Sequence, residues 1–599
     1  MVSRAVSAPK EEVLSLEVLA RAAPEEDRLQ PQFRVLVRHF LERFFTNELA
    51  SGDGDAKMRL VQVACALGIP GFVMAMYLYP MYHLPRGHPG RYWGARSYWA
   101  QAGDHSFYVL YALVAMGLVT IFEWDLFFPD LLDVFVLSPL PVRGRRMFGA
   151  RVTAIFLLLG AALFDSNFLA PLVLPAATDP PHLFRFLAAH LIAVGSAGVF
   201  GAAFFLGLEG LLLGVLGERF FRRISLWLQG LSVMVLLTML FLYPALFPAL
   251  PVLLTPGRGW VMFVPPFWFL GIYQRILGGQ QVPAVFGHLA ATGFGATALV
   301  VGFAIFIYPL AWWRRTRGLV EGAVKRERKS RAGEIARRIA GMMARTPACR
   351  AVWQFIGQNL LRVPRYRMVL VMYGGTGAAL IFAVVTRMNL SQGHLRFVFS
   401  PDGLRATVPI VAFWTVSGLR STFLAPADQR GRWIFRVVLG KPGWAEASAA
   451  RRWVLLWTLL LTLIVASGAC LLGRPNSATG GFVAGQMLVA VGLSVLLTDA
   501  FFLHVKTIPF TGAKPHAAAN FALLLIPYLG FFPAVVLFTV GLEPVIEASV
   551  GHLALTGAIV AGAHLLLRGM HRRRIAEFVQ LVDADEDEEE FPLRLGLRY

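Results

Sequence analysis

The apolar residues of this chain gather into blocks, each about twenty residues long, the length at which an α-helix crosses ~30 Å of hydrocarbon. Strands of an outer-membrane barrel would alternate polar and apolar residues over about ten positions, and these blocks do not alternate. Hydrophobic residues make up 56% of the 599 and charged residues only 15%, where a soluble chain of this length carries about a quarter charged. The expected fold is all-α: a polytopic integral membrane protein with about twelve transmembrane helices in two six-helix halves.

The twelve segments lie at roughly 59–82, 106–122, 149–175, 184–214, 224–250, 284–312, 367–386, 404–424, 452–472, 480–505, 518–541 and 546–568. A net charge of +20 would point to nucleic acid in a soluble protein. Here it marks loops on the inner side of a membrane, so no nucleic-acid partner is expected and anionic lipid is. With the N-terminus inside, inner loops and tails carry about forty Lys and Arg and outer loops about nine, a bias that puts both termini in the cytoplasm. The expected location is the cytoplasmic (inner) membrane, multi-pass. Three cysteines, two in apolar runs and one in a basic linker, suggest neither a disulfide framework nor a zinc site. The charged first 58 residues lack a short apolar core before a cleavage site, so the first apolar block is expected to act as an uncleaved insertion signal.

Five regions follow: a disordered cytoplasmic N-terminus (1–34), a first six-span unit with an elbow helix (35–312), a basic cytoplasmic linker (313–350), a second six-span unit (351–568), and a cytoplasmic tail (569–599) whose acidic run "DADEDEEE" should be solvated. Repeats support the division. Val37, Phe40, Leu41, Phe44 and Phe45 recur at helical spacing beside Arg38, Glu42 and Arg43 before the first span. Val352, Phe355, Ile356 and Leu360 do so beside Gln354, Gln358 and Asn359 before the seventh. Both read as amphipathic elbows lying in the inner interface, or as helices packed on a loop. "VLSPLPVRGRRMFGAR" between spans two and three is echoed about 300 residues later by "VLGKPGWAEASAARRW" between spans eight and nine. The halves differ between spans five and six, where an aromatic segment broken by Pro and Gly should form an interfacial or re-entrant hairpin with Trp260, Trp268 and Tyr273 at headgroup depth.

No phosphate-cradling G-x-x-x-x-G-K-[ST], no H-E-x-x-H, no paired C-x-x-C and no G-x-S-x-G occurs. Ser494, Asp499 and His504 cannot form a relay on one helix, because five residues turn about 500° and point successive members apart. No catalytic residue, metal ligand or cofactor-binding residue is therefore assigned, and the chain is read as a non-enzyme. Three intramembrane polar positions stand out: Asp165 in a polar break "DSN" within span three, and Glu209 and Asp499 at comparable places near the inner ends of spans four and ten. A carboxylate in hydrocarbon faces protein or water. For the pair, a proton or substrate relay and an interhelical hydrogen bond both fit; for Asp165, a cavity lining or a helix end followed by re-entry. The scattered His190, His288, His552 and His564 read as packing or hydrogen-bond partners.

"DLLDVFVLSPLPVRGRRMFGARV" resembles the first inner loop of ABC-2-type permeases, the membrane subunits of ATP-binding-cassette exporters, as do the elbow at 35–47 and the hairpin at 252–281, in that order. The resemblance covers 35–312 and, more weakly, 350–568, apparent in two fused units. It implies a separate cytoplasmic ABC ATPase that supplies ATP hydrolysis, docked on a coupling loop, and leaves room for a homodimer. On that reading Pro139 and Pro141 end one short helix and set the angle of the next. Arg143, Arg145 and Arg146 hold the corner at the lipid surface, while Asp130, Asp133 and Leu137 project towards the ATPase. An ordinary positive-inside loop is the plain alternative. The rival functions are a proton-coupled secondary transporter, since "APADQRGRW" at 425–433 resembles a loop motif of the major facilitator superfamily, and a membrane scaffold or enzyme without a recognisable motif.

Overall fold

The computed structural model describes residues 25–46, 55–83, 97–137, 139–178, 183–254, 262–278, 282–322, 346–391, 394–424, 444–472, 480–505, 509–510 and 517–586. The order in the first half is α1 (Glu25–Thr46), α2 (Asp55–His83), α3 (Tyr98–Phe122), the short α4 (Leu131–Leu137), α5 (Gly144–Thr178), α6 (Leu183–Leu211), α7 (Gly217–Phe241), α8 (Pro265–Leu277) and α9 (Val285–Gly322). The second half has α10 (Pro347–Arg362), α11 (Pro364–Val385), a hairpin of β1 (Thr386–Ser391) and β2 (His394–Phe399), then α12 (Pro401–Leu424), α13 (Trp444–Leu472), α14 (Gly480–Phe502), α15 (Ala517–Ala548) and α16 (Val550–Glu586). The all-α membrane architecture is as the apolar blocks require.

Eleven of these helices are long and apolar enough to cross a membrane. The segment expected as the eighth span, α12, is not among them, and it carries Asp402, Arg405 and Arg420. The physical reason is its position. Helix α12 is surrounded by α11, α13, α14 and α15, so most of its side chains meet protein rather than lipid and its composition is freed from the hydropathy that lipid demands. Helix α3 is its counterpart in the first half, packed against α5, α6, α7 and α8.

The elbows keep their places in both halves but not their expected surroundings. Leu36, Phe40 and Phe44 of α1 are buried with Ala150 and Ala154 of α5. Val352, Ile356 and Leu360 of α10 are buried with Ala449 and Ala450 of α13. The third span of each half thus covers the apolar stripe, because a protein surface of small residues lets a helix approach more closely than lipid headgroups would. The two halves meet where α7 packs along α11: a Cβ on Gly375 would stand 3.2 Å from the carbonyl oxygen of Gly230.

Other expectations are corrected. Helix α1 starts at Glu25, inside the region expected to be disordered, and α9 runs on to Gly322, into the expected linker. Helix α16 continues to Glu586, into the acidic run, since neither Gly nor Pro interrupts 570–586. Helix α5 passes unbroken through Asp165, Ser166 and Asn167. The side chains of Ser166 and Asn167 return their hydrogen bonds to the Leu163 carbonyl, which leaves the helix intact. Finally, of the interfacial or re-entrant hairpin expected between spans five and six, α8 is enclosed by protein rather than laid on its surface. It packs among α3, α6 and α9, and Tyr273 is fully buried, its hydroxyl 3.1 Å from His190 Nδ1 and its ring stacked on His105 at 4.3 Å. Satisfying the phenol inside the protein removes its need for the headgroup layer. Trp268 is half-buried, and Trp260 lies outside the described residues. Gly278 closes α8 with φ +68° and ψ −164°, a backbone conformation that only glycine adopts without strain.

Candidate functional site

The loop between α3 and α5 is built from its backbone outwards. Asp130 caps α4 by accepting from the Asp133 N–H at 2.8 Å, and Asp133 accepts from the Asp130 N–H at 3.3 Å. This is a reciprocal capping box made by two aspartates. Four successive carbonyls just before it are all held from other helices. Arg151 of α5 donates to Leu126 O and, at 2.8 Å, to Phe128 O. Tyr308 of α9 donates to Phe127 O at 2.7 Å, and Arg315 donates to Pro129 O at 2.9 Å. A loop usually carries its polar backbone to water; this one is tied into the helices that flank it.

The carboxylates are held as firmly. Arg43 of the elbow binds both Asp130 and Asp133, and Arg151 binds Asp133 at 2.6 Å. The Arg151 guanidinium lies 4.9 Å from the Phe40 ring and 5.8 Å from that of Trp312, so α1, α4, α5 and α9 converge on it. Arg151 and Asp133 are both buried, where a pair needs further hydrogen bonds to offset desolvation; Nη1 and Nη2 of Arg151 have theirs, while its Nε has no acceptor.

The expectation that Asp130, Asp133 and Leu137 project towards a partner is therefore corrected. Asp133 is buried, Asp130 faces Arg43, and Leu137 packs against the core. On this seven-residue helix Asp133, Val134 and Leu137 form the covered face, so the opposite face is Phe135 and Val136, and both are exposed, as is Leu140. Pro139 and Pro141 are exposed at the turn between the end of α4 and the start of α5. Arg143 and Arg145 are exposed beside them, and Arg146 is half-buried.

The second half repeats the buried guanidinium. Arg451 follows Ala450 near the start of α13, just as Arg151 follows Ala150 near the start of α5, 300 positions earlier (451 − 151). It binds Asp499 of α14 at 2.7 Å, and Asp499 also meets His564 Nδ1 of α16 at 2.6 Å. The elbow again closes the site, with Trp353 Nε1 donating to Ala449 O at 2.8 Å. The expected loop counterpart, 425–443, lies outside the described residues, as does "APADQRGRW". Asp499 thus joins three helices. Glu209 is buried near the end of α6, before a π-helical turn at Leu212–Leu216, within electrostatic reach of Tyr308. The two carboxylates occupy comparable places without sharing a partner. Asp165 is half-buried against Gly68 of α2. Just past α3, burial pushes the half-buried Glu123 carboxyl up to about 7.

Sequence reasoning missed Arg43, Arg151 and Arg451 as partners, whereas His564, expected as a packing or hydrogen-bond partner, meets Asp499. Arg151 carried a signal, since a cation set just inside an apolar block needs a counter-charge or a route to water. No family model matches the chain, and no curated protein and no solved structure matches it either.

Proposed function

We propose that this chain is the membrane-spanning permease subunit of an ATP-driven, ABC-2-type exporter, powered by a separate cytoplasmic ATPase subunit. The observation that carries the reading is the α3–α5 loop, whose carbonyls 126–129 and acidic cap are held from three helices while Phe135, Val136 and Leu140 stand exposed. An apolar knob on a fixed backbone suits a docking surface that passes rigid-body motion into the membrane. On this reading the elbow end faces the cytoplasm, anionic lipid meets Arg143, Arg145 and Arg146, and ATP acts through the partner alone. The test is co-purification in mild detergent followed by ATPase assay of the complex. A partner ATPase lost on Phe135→Asp supports the proposal; transport that persists in ATP-depleted vesicles under a proton gradient overturns it.

The second reading is a proton-coupled secondary transporter. It is favoured by the 2.6 Å contact between the Asp499 carboxylate and the His564 imidazole in the spans. Gradient-driven transport without ATP would select it.

A further inference from the structure

At the end of the bundle away from the elbows, α12, α14 and α15 enclose a second charged group. Arg405 of α12 binds Glu547 of α15 at 2.8 Å and stands 3.7 Å from Glu543, one turn earlier on the same helix. Gln486 of α14 donates to the second oxygen of Glu543 at 2.8 Å. At the rim, Asp402 pairs with Arg387 at 3.3 Å, and these two charges cancel. What remains inside is one cation against two carboxylates, an excess of one negative charge. Burying such an excess is costly unless something neutralises it.

Hydrogen bonding points the same way. Glu543 Oε1, Glu547 Oε1 and Gln486 Oε1 are all buried and all lack a donor. Gln486 and Glu543 are fully enclosed. These three orphan atoms are acceptors and cannot satisfy one another, and the orphan donor of the group, Arg405 Nε, stands 3.7 Å from Glu543 Oε2, too far for a hydrogen bond. Space is kept for the group by glycine, since a Cβ on Gly485 would lie 2.9 Å from Glu547 Cγ. Exposure falls inwards from the surface: side chains are 62% accessible at Asp402, 22% at Arg405, 13% at Glu547 and 0% at Glu543. The charged side chains thus run in order from the surface to the enclosed Glu543.

We infer that Glu543, Glu547 and Gln486 form a site for a single monovalent cation, reached from the end of the bundle opposite the elbows. One positive charge cancels the excess, and a hard cation takes oxygen ligands of this kind. A proton and a sodium ion share this chemistry: a proton turns one acceptor into a donor for a second, and sodium serves all three. The other charged or titratable groups facing the site are Arg405 and Asp402 from α12, Cys470 from α13, which lies within electrostatic reach of Glu547, and His552 at the start of α16, whose Nδ1 lies 3.0 Å from Val545 O on α15. The site stands whether ATP or a gradient drives the protein.

The experiment uses the full chain in lipid nanodiscs and reads sodium-22 binding together with the thermal unfolding temperature. Sodium chloride is compared with choline chloride at equal ionic strength, each from about pH 6 to about pH 9, so that the effects of proton and sodium separate. A sodium site gives saturable binding and an unfolding temperature raised by sodium. A proton site gives an unfolding temperature raised by acid alone. In either arm Glu543→Gln removes the excess charge, so it should lose the response and unfold, without ligand, as the loaded wild type does. Should that variant fail to fold, Glu547→Gln, on the wetter side, removes the same charge. The inference is overturned if the wild type responds to neither ion, or if its response survives in the folded charge-removing variant. No readout involves an ATPase, so failure here leaves the exporter reading untouched.

Discussion

Asp133 and Arg151 are joined at 2.6 Å with side-chain exposures of 3% and 2%, so the loop between α3 and α5 is fastened to α5 by a pair that water barely reaches. Removing one partner strands the other. Arg151→Ala should cost ~3–5 kcal/mol, read as a lower unfolding temperature in detergent. Arg151→Lys should recover only part, because an ammonium cannot reach Asp133, Leu126 O and Phe128 O in one plane. Asp133→Arg should unfold the corner rather than merely weaken a partner contact.

Exposed residues of the same loop should behave differently. Phe135→Asp and the double change of Pro139 and Pro141 to Gly touch side chains that face water, so unfolding should shift little. On the exporter reading the first should lose the ATPase on co-purification. The second should keep the ATPase while ATP hydrolysis no longer drives transport, since glycines loosen a corner that must move as a body. Normal coupling in the double variant would remove the mechanical role of the prolines.

The two intramembrane acids should part company. Glu209→Gln should be tolerated, since an amide still offers an acceptor and adds donors. Asp499→Asn leaves Arg451 buried without its counter-charge, so a loss of ~3–5 kcal/mol is expected. Equal thermal stability of Asp499→Asn and wild type would contradict this.

Glu123 supplies a pH dependence. Its carboxyl is raised to about 7 by burial, above its ordinary value near 4.5, so the folded protein holds a proton that the unfolded chain gives up. Stability from this group is therefore fullest below the unfolded value and is lost as pH rises through about 7. Glu123→Gln should flatten that part of the stability profile between acid and alkaline pH and raise the unfolding temperature on the alkaline side.

Topology can be read by labelling single cysteines in a chain freed of its own three. Positions Ser391 and Ser477 should react from outside and Lys329 from inside, because the cations concentrate on the elbow side. Lys329 reacting from outside would reverse the six-plus-six arrangement.

The helices themselves were legible in the sequence, because a span must satisfy its backbone locally and be apolar over a fixed length. The elbows and the arginine-rich corner were legible too, as helical spacing and a repeat near 300 residues. Partner choice was not. Arg43 meets Asp133 across ninety positions, and Arg405 meets Glu547 across 142. No local period records which charges will be brought together once lipid excludes water from the bundle. The same holds for α12, whose Asp402, Arg405 and Arg420 make it a poor span until its neighbours surround it. The sequence by itself determined that the chain is a helical membrane bundle with two similar halves. Only tertiary packing decided that Asp133 is an anchor rather than a contact, and that Glu543 lies buried with one oxygen lacking a donor. Burial fixes the worth of a charge, and burial is set by the whole bundle.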